Sequence, residues 1–173
     1  ATIYTVIMTT DDYLDPPAMA GRQLAMNVTV PSAASETNKM PLRLGLHGAS
    51  GSSVKPGNSG NGLRFGVSPI DPRTGWWRGY SDQLPLADGA VPTTGTVQPY
   101  KERQVMHLLN YAVTHFPGVD LERIDISGSS MGGVGGFTMA TRFARHFNVI
   151  QGTLGMVSPD RFKPGQVKFT EDH

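Results

Sequence analysis

Alternating apolar and polar positions predict a β-rich beginning for this chain. Residues 24–30 carry an apolar side chain at every second position, and residues 3–7 form a shorter apolar run. This period is typical of strands whose two faces meet different surroundings. A third strand is predicted at Leu42–Leu46, and it leads directly into the glycine-rich stretch His47–Ser53.

The middle of the chain changes to a helical period. Residues 54–99 are rich in Gly, Pro, Asp and Ser, which predicts long loops around at most a short strand near Phe65–Val67. Apolar side chains then recur three and four residues apart over Lys101–Phe116, and Pro117 ends this predicted helix.

A strand, a tight turn and a helix follow in immediate succession. Arg123–Ser127 is a short β-branched run, and a helical pattern extends from the next glycines to about Arg145. Further strands are predicted at Asn148–Leu154 and, more briefly, at Val167–Phe169. Strands that alternate with helices predict an α/β fold, a mainly parallel sheet with helices on both faces.

Length and composition predict one soluble domain over residues 1–173. The chain has 21 Gly and 13 Pro, which indicates many turns, and its formal net charge is only +1. Such a charge argues against nucleic acid or an anionic membrane surface as partner. With no cysteine, thiolate nucleophiles and thiolate metal sites are excluded.

The predicted strand-to-helix turn carries the main candidate chemistry. Gly128-Ser129-Ser130-Met131-Gly132 matches the Gly-x-Ser-x-Gly nucleophile elbow in the context that this motif requires. In such a turn the two glycines allow close backbone contacts, and strain lifts the serine hydroxyl out of the sheet. The N–H of Met131, at the start of the helix, would point to a developing oxyanion. A phosphate-binding loop is disfavoured, because no Gly-Lys-Ser/Thr ending follows.

With these residues the chain resembles a group of α/β-hydrolase esterases. The group comprises polyhydroxybutyrate depolymerases, feruloyl and acetylxylan esterases, and the related prolyl-oligopeptidase-like hydrolases. The resemblance covers roughly residues 42–157 and rests on Leu46-His47-Gly48, the Trp76-Trp77 loop, the helix before Pro117 and the stretch Val119–Gly133. It implies the α/β-hydrolase fold and cleavage of small-molecule or polymeric carboxylic esters, without a cofactor, by Ser130.

The resemblance also implies roles for residues outside the elbow. The N–H of Ala49 would be the second oxyanion donor beside that of Met131. We expect His47 to brace this loop by hydrogen bonds rather than to act as the base. Trp76, Trp77 and Tyr80 either cap the core or form an aromatic wall against the substrate.

The remaining members of a Ser, Asp, His triad are harder to place. Only 43 residues follow Ser130. Asp172 is a better positional match for the acid than Asp160, and His173 is the only histidine after either. A histidine adjacent to its acid cannot easily be both free to reach Ser130 and rigidly held. Three explanations therefore stay open: the chain is a fragment of a longer protein, a second chain supplies the rest, or the molecule has lost its chemistry and kept the fold.

The other histidines are expected to be structural. His107 and His115 would lie on the polar side of the first helix, and His146 at the end of the second, where a cation suits the helix dipole. No catalytic metal site is predicted. The first residue, Ala1, fits either a mature secreted or periplasmic protein or a trimmed sequence.

The sequence thus predicts a serine esterase that works through an acyl-enzyme on Ser130. Two alternatives stay open at this point. One is a serine peptidase of the prolyl-oligopeptidase type, and the other is a non-catalytic binding protein with the α/β-hydrolase fold.

Overall fold

The computed structural model describes residues 1–49, 62–70, 77–84 and 93–153. These residues form eight strands, two longer helices and two short 3-10 turns. The strands are β1 (Thr2–Thr9), β2 (Gln23–Val30), β3 (Met40–Leu46), β4 (Phe65–Ile70), β5 (Tyr80–Ser81), β6 (Val97–Gln98), β7 (Val119–Ser129) and β8 (Val149–Thr153). The helices are α1 (Tyr100–His115) and α2 (Met131–Arg142), and the 3-10 turns are Pro17–Met19 and Ala144–His146.

Six of the strands form the main sheet, in the order β1-β2-β4-β3-β7-β8. The β3 strand pairs in parallel with both β4 and β7, and β7 pairs in parallel with β8. The first two strands are antiparallel, β1 to β2 and β2 to β4. The carboxyl ends of β3, β4, β7 and β8 therefore meet at one edge of the sheet, where ligands of open α/β sheets usually bind.

One face of this sheet carries the hydrophobic core. Leu44 of β3 pairs with Val67 on one side and with Ile126 on the other, so the three side chains form a row across the sheet. The buried cluster joins such rows to both helices. Its members include Met26, Val28, Leu42, Leu44, Leu46, Phe65, Val67, Ile124 and Ile126 from strands, with Val105, Leu108, Leu109, Ala112, Met131, Met139 and Ala140 from helices.

The two longer helices of the described residues, α1 and α2, pack on this same face. The cause is topological. The crossover from β4 through α1 to β7 and the crossover from β7 through α2 to β8 step in the same direction across the sheet. Because such crossovers are right-handed, two steps in one direction place their helices on one side.

Most predicted elements are confirmed, with changed bounds. The strand β7 begins at Val119, four residues before the predicted start, and α2 ends at Arg142 rather than near Arg145. The predicted strand at 167–169 lies outside the described residues. In the ranges that the structure describes, no helix is long and apolar enough to cross a membrane.

A buried carboxyl group links the two helices. Glu102, in the first turn of α1, is 1% exposed, and its Oε2 lies 2.9 Å from Nη1 of Arg142 in the last turn of α2. Its other oxygen, Oε1, is buried without a hydrogen-bond partner in the described structure. Burial raises the pKa of Glu102 above its ordinary value, although Arg142 opposes this shift.

We therefore expect the stability of the protein to fall with pH relative to a Glu102→Gln variant. A carboxyl group whose pKa is raised by folding contributes stability below its unfolded pKa, near 4.5, and that contribution is lost as the pH rises through the folded pKa. The measurement is the free energy of unfolding of both proteins by urea from acidic to neutral pH. A stability difference that stays constant or changes in the opposite direction would contradict the assignment.

Candidate active site

Ser130 stands alone between the last residue of β7 and the first residue of α2. Its backbone has φ 53° and ψ −119°, and the residue is exposed to solvent. A positive φ is unfavourable for any residue with a Cβ, and such strain persists only where the surroundings impose it. Apart from glycines, only Ser130 and Trp77 have a positive φ in the described ranges.

The glycines on either side of Ser130 allow three backbone segments to touch. A Cβ on Gly128 would lie 2.2 Å from the carbonyl oxygen of Gly132, and a Cβ on Gly132 would lie 2.1 Å from the carbonyl oxygen of Leu46. No side chain can occupy these spaces, since the obstructing atoms belong to the backbone. The ends of β3 and β7 and the start of α2 are thereby held together around Ser130.

Both the backbone N–H and the backbone carbonyl oxygen of Ser130 form hydrogen bonds. Its N–H donates to the carbonyl oxygen of Thr153, the last residue of β8, at 2.9 Å, and its own carbonyl oxygen accepts from Val134 at 3.1 Å. The side chain of Met131, next along the chain, is fully buried in the core. These contacts fix the backbone and leave the Ser130 hydroxyl at the exposed edge of the sheet.

The N–H of Met131 lies in the first turn of α2. The hydrogen bond from Val134 to Ser130 closes the first turn of α2, so the N–H groups of the residues before Val134 lack acceptors within the helix. These N–H groups form the positive end of the helix dipole and attract a developing negative charge.

The loop after β3 lies directly beside Ser130. A Cβ on Gly48 would be 3.3 Å from the carbonyl oxygen of Ser129 and 3.7 Å from Cβ of Ser130. Ala49, the next residue, is exposed. The structure therefore brings together the elbow and the loop that the sequence analysis selected for the second oxyanion donor.

His47 and Trp77 lie beneath this loop. His47 is 5% exposed, and its Nδ1 donates to the carbonyl oxygen of Gly48 at 2.8 Å. Trp77 is 1% exposed, donates from Nε1 to the carbonyl oxygen of His47 at 3.0 Å, and presents its ring edge-on to the imidazole, with ring centroids 4.8 Å apart. These two residues are 30 positions apart, and no pattern in the sequence predicts their contact.

Tyr80 belongs to a buried polar cluster that the sequence analysis missed. Its hydroxyl donates to the carboxylate of Asp15, and Nε2 of Gln104 donates to the same carboxylate oxygen at 3.1 Å and to the carbonyl oxygen of Leu14 at 2.8 Å. Burial, and then the neighbouring Asp15, raise the pKa of Tyr80. The cluster ties the connection between β1 and β2 to the segment after Trp77.

Trp77 and Tyr80 thus lie in the interior, each less than a tenth exposed. A small cavity opens beside them, lined by Asp15, Arg22, Trp77, Tyr80, Lys101 and Gln104 among others. Substrate contact by Trp77 or Tyr80 stays a prediction. Trp76, the third aromatic residue of that expectation, lies outside the described residues.

Two histidines are placed far from Ser130, and a third lies on the outside of α1. His115 ends α1 just before β7 begins, and His146 lies just before β8 begins, so both are at the opposite edge of the sheet, a strand length away. His107 is exposed in the middle of α1. The candidate acids Asp160 and Asp172 and the candidate base His173 lie outside the described residues.

Comparisons with known proteins agree with this fold. No family model matches the sequence, and no curated protein matches it. Among solved structures the chain is similar to a thermostable esterase, with 22% identity, a TM-score of 0.51 and coverage of 83% of this chain and 39% of the other.

Two further similar structures carry more specific names. One is a fluorophosphonate-binding serine hydrolase of Staphylococcus aureus, with 15% identity, a TM-score of 0.57 and coverage of 84% of this chain and 54% of the other. The other is a ferulic acid esterase of Anaeromyces mucronatus, with 14% identity, a TM-score of 0.54 and coverage of 91% and 59%. The chain has the α/β-hydrolase fold, and it spans about 40–60% of the length of these three proteins.

The tight backbone contacts at the turn predict that two glycine-to-alanine substitutions in α2 affect the stability of the protein differently. Gly132→Ala should destabilise the protein by about 1–3 kcal/mol or more, because the added methyl group would overlap the backbone of Leu46. Gly136→Ala is the matched control, since a Cβ there meets only Cγ1 of Ile126 at 3.9 Å. Alanine at 136 should be neutral or stabilising by up to about 1 kcal/mol.

Urea denaturation of both variants measures this difference. Equal stability of the Gly132→Ala protein and the wild type would show that the three backbone segments are not in contact as described.

Proposed function

We propose that this chain is a serine hydrolase that cleaves carboxylic esters, with Ser130 as the nucleophile. The observation that supports the proposal is one exposed serine on a positive-φ turn, directly before the first residue of α2 and beside the loop that contains Gly48 and Ala49. This arrangement suits acyl transfer, in which a negative oxygen develops next to the attacked carbon. The esterase and serine hydrolase names of the similar structures support the same chemistry.

The proposed reaction has two steps. Ser130 Oγ attacks the ester carbonyl carbon and gives its proton to a base, and the carbonyl oxygen becomes an oxyanion held by the N–H groups of Met131 and Ala49. The oxyanion collapses, the bond from the acyl carbon to the alcohol oxygen breaks, and the base returns the proton to the departing alcohol. Water then attacks the acyl-enzyme by the same route and releases the acid.

The base that accepts the Ser130 proton is proposed to be a histidine. His115 and His146 lie at the opposite edge of the sheet from Ser130, and His107 is exposed in the middle of α1. His47 is 5% exposed, and its Nδ1 is bonded to the carbonyl oxygen of Gly48. We therefore propose His173 as the base within this sequence, with Asp172 as its acid. The alternative, a histidine from a second chain or from a segment outside this sequence, predicts a different result for the same substitution.

An ester substrate is favoured over a peptide by the names of the similar structures. One of them acts on ferulic acid esters by its name, which fits the sequence expectation of small-molecule or polymeric esters. Secretion or a periplasmic location stays a prediction from the sequence.

Replacing Ser130 by Ala should abolish ester hydrolysis, because no nucleophile remains at the elbow. We expect the kcat for p-nitrophenyl acetate to fall by about 10³-fold or more. Ser129→Ala is the matched control, since Ser129 is also exposed but lies in β7, and it should retain most of the activity.

Three outcomes would contradict this part of the proposal. Equal losses in the two variants would show that the neighbourhood matters rather than the Ser130 hydroxyl. Turnover of a peptide anilide without turnover of the ester would favour the peptidase alternative. A folded wild-type protein that hydrolyses neither would favour the binding protein.

Replacing His173 by Gln tests the proposed base. If His173 accepts the Ser130 proton, kcat should fall by about 10³-fold or more with little change in KM. The measurement is steady-state hydrolysis of p-nitrophenyl acetate, with His146→Gln as a control histidine far from Ser130. Full activity of the His173→Gln protein would assign the base to a second chain or to a segment outside this sequence.

A further inference from the structure

The second proposed oxyanion donor lies on a peptide unit whose other end is hydrogen-bonded. The N–H of Ala49 and the carbonyl oxygen of Gly48 belong to the same peptide, and in a trans peptide these two groups point in opposite directions. The hydrogen bond from His47 Nδ1 to Gly48 O therefore sets the direction of the Ala49 N–H as well.

This hydrogen bond also shows that one particular ring nitrogen of His47, Nδ1, carries a hydrogen. His47 Nδ1 lies 2.8 Å from the carbonyl oxygen of Gly48. Because a carbonyl oxygen only accepts hydrogen bonds, Nδ1 must carry a hydrogen. The ring thus uses Nδ1 to hold the loop. None of the described residues accepts a hydrogen bond from the Ala49 N–H.

Trp77 holds His47 in turn. It bonds the carbonyl oxygen of His47 and packs edge-on against its ring. Its own position is determined by close contact with α2, because a Cβ on Gly135 would lie 2.3 Å from Cβ of Trp77. The positive φ of Trp77, 61°, shows that this position is imposed by packing and not by local preference.

We propose that His47 is a positioning residue: its Nδ1–H, with the ring fixed by Trp77, turns the Gly48–Ala49 peptide so that the Ala49 N–H faces the oxyanion formed at Ser130. The inference rests on the proposed function, and it assigns His47 no role in proton transfer. Gly48 connects the two parts physically, since a Cβ there would lie 3.7 Å from Cβ of Ser130.

Two substitutions separate positioning from the alternatives. In His47→Asn the amide Nδ2 can take the place of the imidazole Nδ1 and donate to Gly48 O, whereas His47→Leu has no donor. We expect His47→Leu to lower kcat by at least about tenfold, toward the roughly 100-fold or greater loss known for an oxyanion donor. His47→Asn should recover most of this loss, and KM should change little in either variant.

The assay substrate is p-nitrophenyl acetate. The results below are interpreted on the condition that the Ser130→Ala variant is inactive. Recovery by Asn supports positioning. Equal inactivity of Asn and Leu variants with unchanged folding would indicate that His47 transfers protons, and a fully active Leu variant would show that the hydrogen bond is unimportant. Both results overturn the inference while the proposed function stands.

A second measurement is independent of activity. Two-bond ¹H–¹⁵N correlation spectra of the imidazoles, recorded near pH 8.5 where a histidine ring is usually neutral, distinguish the two tautomers. The His47 signal, assigned by its absence in His47→Asn, should show hydrogen on Nδ1. Hydrogen on Nε2 would overturn the inference even if the protein proved not to be an esterase.

Discussion

The arrangement of the site depends on the contact of three backbone segments at the carboxyl edge of the sheet. Gly128 meets the backbone of Gly132, and Gly132 meets the backbone of Leu46, at distances that exclude a methyl group. This contact decides where α2 begins and how closely β3 approaches β7. Ser130 is consequently forced into the turn, and the loop after Leu46 is brought beside it.

The strain of this turn is offset by ordered interactions around it. A positive φ at a residue other than glycine costs on the order of 1–3 kcal/mol. Ser130 is held there by backbone hydrogen bonds to Thr153 and Val134. The buried side chain of Met131 anchors the residue that follows. Trp77, the other such residue of the described structure, contacts the same loop from below, so both strained positions adjoin the proposed site.

Local patterns made much of the fold predictable. The alternation in residues 24–30, the helical spacing in 101–116 and the glycines around Ser130 each encode structure within a few neighbouring positions, and each corresponds to an observed element. The tight turn at Ser130 was visible because its steric requirement acts on the glycines two positions away.

Contacts between distant segments were not predictable in this way. The hydrogen bond from Trp77 to His47 and the cluster of Asp15, Tyr80 and Gln104 join residues up to 89 positions apart, and no local period marks them. The common face of α1 and α2 follows from strand order, which the sequence pattern does not contain. The candidate acid and base, Asp172 and His173, lie outside the described residues and remain predictions.

The central claim is that the backbone turn makes the Ser130 hydroxyl a nucleophile. Its most direct measurement is peptide mapping by mass spectrometry after the folded protein reacts with a fluorophosphonate. We expect one adduct in the tryptic peptide Ile124–Arg142, with fragmentation assigning it to Ser130. No adduct on the folded protein, or an adduct on Ser127 or Ser129 of the same peptide, would contradict it.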